Sequence, residues 1–184
     1  MLRPSDVLAL LSAFDPGPDP RATESLERTR ALLERSRDPF SRSTFDPGHI
    51  TASGVVLAPE RDRVLLVFHR RLQRWLQPGG HVEPEDRDLP AAARREVVEE
   101  TGVMPNPRLA PVLIGVDVHQ IPARADEPAH WHHDIVLRFV AGDDDRIAPE
   151  WGRDVQWYAV DRLDDCDADE ALRRSVARAL EATA

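Results

Sequence analysis

The sequence predicts an α/β layered domain with a helical appendage at its N-terminus, and three observations carry that prediction. Period-2 apolar runs, the mark of strands, recur between residues 49 and 160 and are interrupted by a helix-period segment. Residues 1–46 contain helix signals only. Finally, 184 residues at 41% hydrophobic are enough to bury one compact core.

The elements follow in chain order. From Ser5, an N-cap type, Val7, Leu8, Leu10, Leu11 and Phe14 form an amphipathic stripe that ends at the Asp15-Pro16-Gly17 turn. Asp19 and Pro20 start a second helix with Ala22, Leu26, Thr29 and Leu33 on one face, and the chain turns at Asp46-Pro47-Gly48. We place the domain boundary there, with residues 1–46 as the extension and 47–184 as the main domain. HITASGVVLA and RVLLVFHR, joined by PERD, read as a β-hairpin. Gly79-Gly80-His81-Val82-Glu83 reads as a turn, residues 88–101 as a capped helix, and PVLIGVDVHQIP, HWHHDIVLRFVAG and DVQWYAV as further strands. A last helix follows Asp167.

Composition narrows the function classes. The net charge of −9 is spread along the chain, which offers no basic stripe for duplex nucleic acid. All 24 basic residues are arginine, which excludes a P-loop lysine, a lysine Schiff base and Ser-Lys catalysis. The lone Cys166 stands among Asp164, Asp165, Asp167 and Asp169, which disfavour a nucleophilic thiolate. One cysteine also fits a reducing compartment, and the short apolar N-terminus is neither a membrane span nor a signal peptide, so a cytoplasmic location is expected. Nothing in the sequence speaks against a homodimer.

The informative segment is the helix from Asp88, its cap, to Gly102, its stop. At ~100° per residue, Glu96 and Glu100 fall within roughly 20° of Leu89, between Ala92 and Ala93, and Glu99 flanks them. A solvated acidic face would lie opposite the apolar stripe, not inside it. Three carboxylates at this spacing repel one another by a few tenths of a kcal/mol per exposed pair, and by more where water is excluded. Arg95 reaches Glu99 at i, i+4 but cannot neutralise all three. An oxygen-only site suits Mg²⁺ or Mn²⁺, and hard metals on carboxylates serve phosphate chemistry, pointing to a small-molecule phosphate ester or anhydride.

This segment resembles the Nudix box, G-x5-E-x7-R-E-U-x-E-E-x-G-U with U apolar, of the Nudix hydrolases. Arg95-Glu96-Val97, Glu99-Glu100 and Gly102-Val103 match its second half. Counted from Gly80, the first acid falls on Asp86 and eight residues rather than seven precede Arg95, so one residue is inserted; Asp86, Glu85 or Asp88 takes the first acid's place. The resemblance implies a Nudix-like α/β/α sandwich with a mixed sheet over residues 49–182, metal at Glu96, Glu99 and Glu100 with the Gly79 carbonyl, and Arg95 orienting the acids. It implies hydrolysis of a nucleoside diphosphate linked to another moiety, with Glu96 the favoured general base. A late-loop carboxylate, Glu127, Glu150 or Asp154, is the other candidate. The competing reading is a non-catalytic nucleotide-sensing module, which loss of a ligand glutamate would favour. All three are present.

In HWHHDIVLRF, strand alternation places His130, His132 and Asp134 on one face and Trp131, His133 and Ile135 on the other. The polar face reads either as a half-exposed strand or as a substrate-pocket wall or second metal site. His81 stands beside Gly80 and is a further substrate-binding candidate, whereas His49, His69 and His119 read as isolated structural histidines. Arg70, Arg71 and Arg74 precede the box and read either as phosphate contacts or as a solvated loop, with Arg74 taken as the substrate-binding candidate. Trp75, Trp131, Trp151 and Trp157 read as core or rim, with Trp157 in the core.

Overall fold

The computed structural model describes residues 2–124, 126–149, 152 and 154–182, so Glu150 and Trp151 lie outside the described residues. The described elements are α1 (Pro4–Ser12), α2 (Pro20–Arg35), β1 (His49–Leu57), β2 (Arg63–His69), β3 (Arg74–Leu76), β4 (Gly79–His81), α3 (Leu89–Thr101), β5 (Val112–Ile121), β6 (His130–Val140), β7 (Val155–Ala159), a 3-10 turn (Leu163–Cys166) and α4 (Glu170–Glu181). None of the described helices is long and apolar enough to cross a membrane.

The strands form one mixed sheet in the order β3-β2-β1-β6-β5, with β4 beside β1 and β7 beside β2. β1 lies parallel to β6 over its whole length and antiparallel to β2, the expected hairpin. Alternation along β1 divides the core. Ile50, Ala52 and Val56 face a layer containing Leu11, Leu26 and Leu33 of α1 and α2 and Ala92 and Val97 of α3. Val55 and Leu57 face Leu172, Val176 and Ala179 of α4. The result is an α/β/α sandwich with four helices among the described residues.

Two local expectations differ from the structure, and the N-terminal helices dock on the sheet. The first helix begins at Pro4 rather than after Ser5, because proline has no N–H to leave unsatisfied and Asp6 reaches back to the Arg3 N–H at 3.3 Å. The N-terminal helices also share one core with the sheet, since Val7, Leu11, Leu32 and Leu33 are buried with Ile135 and Leu137. Gly79–His81, expected as a turn, is a strand paired with Thr51–Ser53 of β1. Tertiary pairing, not propensity, makes it extended.

Candidate active site

Helix α3 begins where Asp88 accepts the Ala91 N–H at 2.7 Å and ends at Gly102, whose φ of 72° only glycine adopts without strain. Its apolar face, Leu89, Ala92, Ala93 and Val97, packs on the sheet. Contact is close because β1 carries Gly54, where a Cβ would stand 2.5 Å from Val97 Cγ2. Glu96 and Glu100 flank this face, so docking it draws both carboxylates out of water; their neighbour Glu99 stays 40% exposed.

The Arg95 guanidinium is the hub of the acids. It donates to Glu96 at 2.9 Å, to Glu99 at 3.2 Å, to both oxygens of Asp86 at 3.2 and 3.0 Å, and to the His81 carbonyl at 2.8 Å. Asp86 is therefore the acid that faces the arginine. Glu85 is exposed and Asp88 is engaged as the helix cap. The inserted residue is absorbed in the loop, where Asp86 also folds back to the Glu83 N–H at 2.8 Å. Glu100 accepts the Gly79 N–H at 3.1 Å.

Burial pushes the Glu96 carboxyl up; its bond to Arg95 opposes this, and the charges of Glu100 and Glu99 add to it. For Arg95, burial pulls down, but Asp86 and Glu96 prevail and raise it, so it stays charged. One guanidinium thus shares Asp86, Glu96 and Glu99 while Glu100 adds a further negative charge. Gly80 completes the cradle, since a Cβ there would meet Glu96 Oε1 at 2.6 Å. An all-oxygen donor set with surplus negative charge fits a hard divalent cation.

Of these acids, Glu99 lines a shallower surface pocket beside Arg94 and Val98, whereas Glu96 and Glu100 line a cleft of about 460 Å³. Pairing register builds its floor. His49 of β1, His132 of β6 and His119 of β5 stand opposite one another in one row, and His81, Thr51, Asp134 and Asp117 occupy the next, across β4, β1, β6 and β5. His130, His132 and Asp134 line the cleft, while His133 points to the other face and meets Thr29 of α2 at 3.0 Å. Asp134 accepts from the Thr51 and Ser53 hydroxyls at 2.9 and 2.7 Å. Burial raises its carboxyl, against the pull of His119 and the two hydroxyls.

The rings are crowded and largely neutral. Burial, followed by the charge that neighbouring imidazoles would carry, holds His132 down to about 2 and His81 down to about 4, and lowers His49. His119 differs: burial lowers it, but the bond to Asp117 at 2.9 Å and the charge of Asp134 raise it.

Arg74 is not among the cleft residues; β3 turns it outward to Asp169, 3.2 Å away. Arg71, Arg42 and Arg124 line the cleft instead. Of the late acids, Glu127 borders the cleft, while Asp154 pairs with Arg70 at 3.6 Å on the surface. Cys166 is buried beneath α4, its thiol pushed up by burial and donating to the Leu163 carbonyl at 3.2 Å. Trp75 and Trp157 pack against the two cores, and Trp131 lies under Arg28. Sequence reasoning missed His49 and His119 as site residues. Their signal was the period-2 placement of each in a strand, which becomes informative only once the register is known.

The NUDIX domain family matches residues 48–180. The chain therefore belongs to the Nudix family. Among solved structures it is similar to the dihydroneopterin triphosphate pyrophosphohydrolase of E. coli, with a TM-score of 0.57 and 18% identity over 72% of this chain and 96% of that one. It is also similar to the NUDIX domain of Shewanella oneidensis NrtR complexed with ADP ribose, at 0.54 and 18% over 72% and 86%. A third is the MutT protein from Bacillus halodurans, at 0.51 and 20% over 72% and 82%. At these identities the likeness is one of fold. A search of curated proteins gives no match.

Proposed function

We propose that the protein hydrolyses a phosphoanhydride bond in a small molecule, a nucleoside diphosphate joined to another moiety, with Mg²⁺ or Mn²⁺ held by Glu96, Glu99, Glu100 and the Gly79 carbonyl. The observation that carries this reading is the gathering of Asp86, Glu96 and Glu99 on a single guanidinium, with Glu100 beside them, at the edge of a cleft wide enough for a nucleotide-sized ligand. When bound, the cation would neutralise phosphate charge and acidify the attacking water.

The chain's own groups do the rest. Arg95 fixes Glu96 through Oε1, and Glu96 acts as general base: it takes the proton as the water oxygen bonds to phosphorus, and the anhydride P–O bond breaks to release a phosphate leaving group. Arg42, Arg71 and Arg124 supply positive charge to the other phosphate oxygens from the cleft wall. His81 and His132 contact the substrate as neutral hydrogen-bonding groups with His130 beside them, and Asp134 fixes the Thr51 and Ser53 hydroxyls of the floor. No lysine is present and Cys166 is buried away from the cleft, which leaves direct attack by water as the route. A cytoplasmic setting is part of the same reading.

A screen of nucleoside diphosphate derivatives with Mg²⁺ and Mn²⁺ should find cation-dependent turnover. Hydrolysis in ¹⁸O-labelled water should place the label in a phosphate product. Label found only in a non-phosphate product, or a trapped phosphoenzyme, refutes direct attack at phosphorus.

A further inference from the structure

The cleft floor holds a second constellation, built from imidazoles rather than carboxylates. His49, His81 and His132 come from β1, β4 and β6, and their ring centroids lie 5.1 Å (His49–His81), 4.8 Å (His49–His132) and 5.2 Å (His81–His132) apart. Each offers a ring nitrogen, and the three nitrogens lie within 4.8 Å of one another. A tetrahedral ion with bonds of ~2.0–2.1 Å needs nitrogens roughly 3.3 Å apart, so modest inward movement closes the set. His81 and His132 are only partly buried and have room to make that movement.

His49 is the anchor. It is fully buried, and its Nδ1 lies 3.1 Å from the Thr44 carbonyl, an oxygen that can only accept, so Nδ1 carries the proton and Nε2 the lone pair. That Nε2 is buried with no hydrogen-bond partner. Leaving a buried acceptor in this state is destabilising, and a bound ion would relieve it. A ring whose far N–H is fixed by a backbone carbonyl is also the usual setting of a metal-ligating histidine. Behind His132, His130 bonds the Pro128 carbonyl through Nδ1 at 2.9 Å, and its Nε2 lies 3.3 Å from His132 Nε2.

We propose that His49, His81 and His132 form a tri-imidazole site for a borderline transition-metal ion of the Zn²⁺ type, separate from the hard-cation site at Glu96, Glu99 and Glu100. Three neutral nitrogens without carboxylate or thiolate favour Zn²⁺, Co²⁺ or Ni²⁺ over Mg²⁺. Three protein ligands leave a coordination position directed into the cleft. The two sites adjoin through the chain itself, since Arg95 of the acid cluster donates to the His81 carbonyl. The inference does not depend on the phosphoanhydride reading, because metal uptake is measured directly.

The test uses the full-length, metal-stripped protein in saturating Mg²⁺, titrated with Zn²⁺ and, for its visible absorption, with Co²⁺. One equivalent of Zn²⁺ should bind despite the Mg²⁺, and the Co²⁺ spectrum should report nitrogen ligation. Both should persist in a Glu99→Gln/Glu100→Gln double variant. In His81→Gln and His132→Gln, Zn²⁺ affinity should fall at least about 100-fold while circular dichroism shows an unchanged fold. These two positions serve even if His49→Gln, at the buried anchor, fails to fold. Absence of Zn²⁺ uptake by the unaltered protein overturns the proposal. So does uptake that disappears in the glutamate double variant and survives in both histidine variants. Either result leaves Mg²⁺-dependent hydrolysis standing on its own test.

Discussion

The acid cluster of α3 and the histidine face of the sheet border the same cleft but are held together by opposite means. The acids sit on one helix and the loop before it, and a single charged side chain, Arg95, links Asp86, Glu96 and Glu99. The histidines come from four strands, and the backbone ladder sets their spacing. Charge dominates the first region; burial keeps the rings of the second largely neutral. A locally built charged site is therefore vulnerable at its hub, while a ladder-built site is vulnerable to register: a one-residue slip of β6 would turn His130, His132 and Asp134 away from the cleft together.

The largest expected effect lies at the acids. Glu99→Gln or Glu100→Gln should lower turnover and divalent-cation affinity by about 100-fold or more while the thermal midpoint moves little. Cation titrations unchanged in both variants would refute the metal assignment. Asp86→Asn probes the hub itself: Asp86 is buried and takes two bonds from Arg95, so the substitution should cost about 2 kcal/mol in denaturant unfolding and lower activity by misplacing Arg95. A stability change near zero would mean that the hub does not depend on its first acid.

On the histidine face the effects should be smaller and of another kind. His132→Ala should change the ranking of substrates, with KM rising by roughly tenfold for the best of them. An identical specificity profile would return this face to a structural role. The smallest effect belongs to His133, on the same strand but the opposite face. Burial, followed by the charge of Arg28, pushes it down to about 4. The unfolded chain takes up that proton near pH ~6.5, so stability is lost as pH falls from about 6.5 toward 4 and is unaffected above that window. Urea midpoints across this range should show the decline; because His49, His81 and His132 are lowered as well, His133→Gln should make it shallower without abolishing it, and an equally steep decline in the variant would assign the protons to those rings.

Much of this was legible in the letters. The angular coincidence of Glu96 and Glu100 with Leu89 and the spacing of Arg95-Glu96-Val97 from Gly102 follow from helix periodicity alone, and the structure has them where that periodicity puts them. The side chosen by His130, His132 and Asp134 was equally readable, because strand alternation is a local rule. Arg74 shows the limit. Its charge suggested a phosphate contact, yet the direction in which β3 presents it is decided by pairing with β2, and it meets Asp169 instead.

The sequence by itself therefore determined the helix, its caps, its inward acids and the two faces of each strand, since these depend on neighbours within a few positions. Which of three acids meets Arg95, that Gly79–His81 is a strand, and that His49 and His119 join His132 were decided by the tertiary structure alone. Those outcomes depend on which strands pair and in what register, and pairing energy is shared among residues far apart in the chain, so no local window contains it.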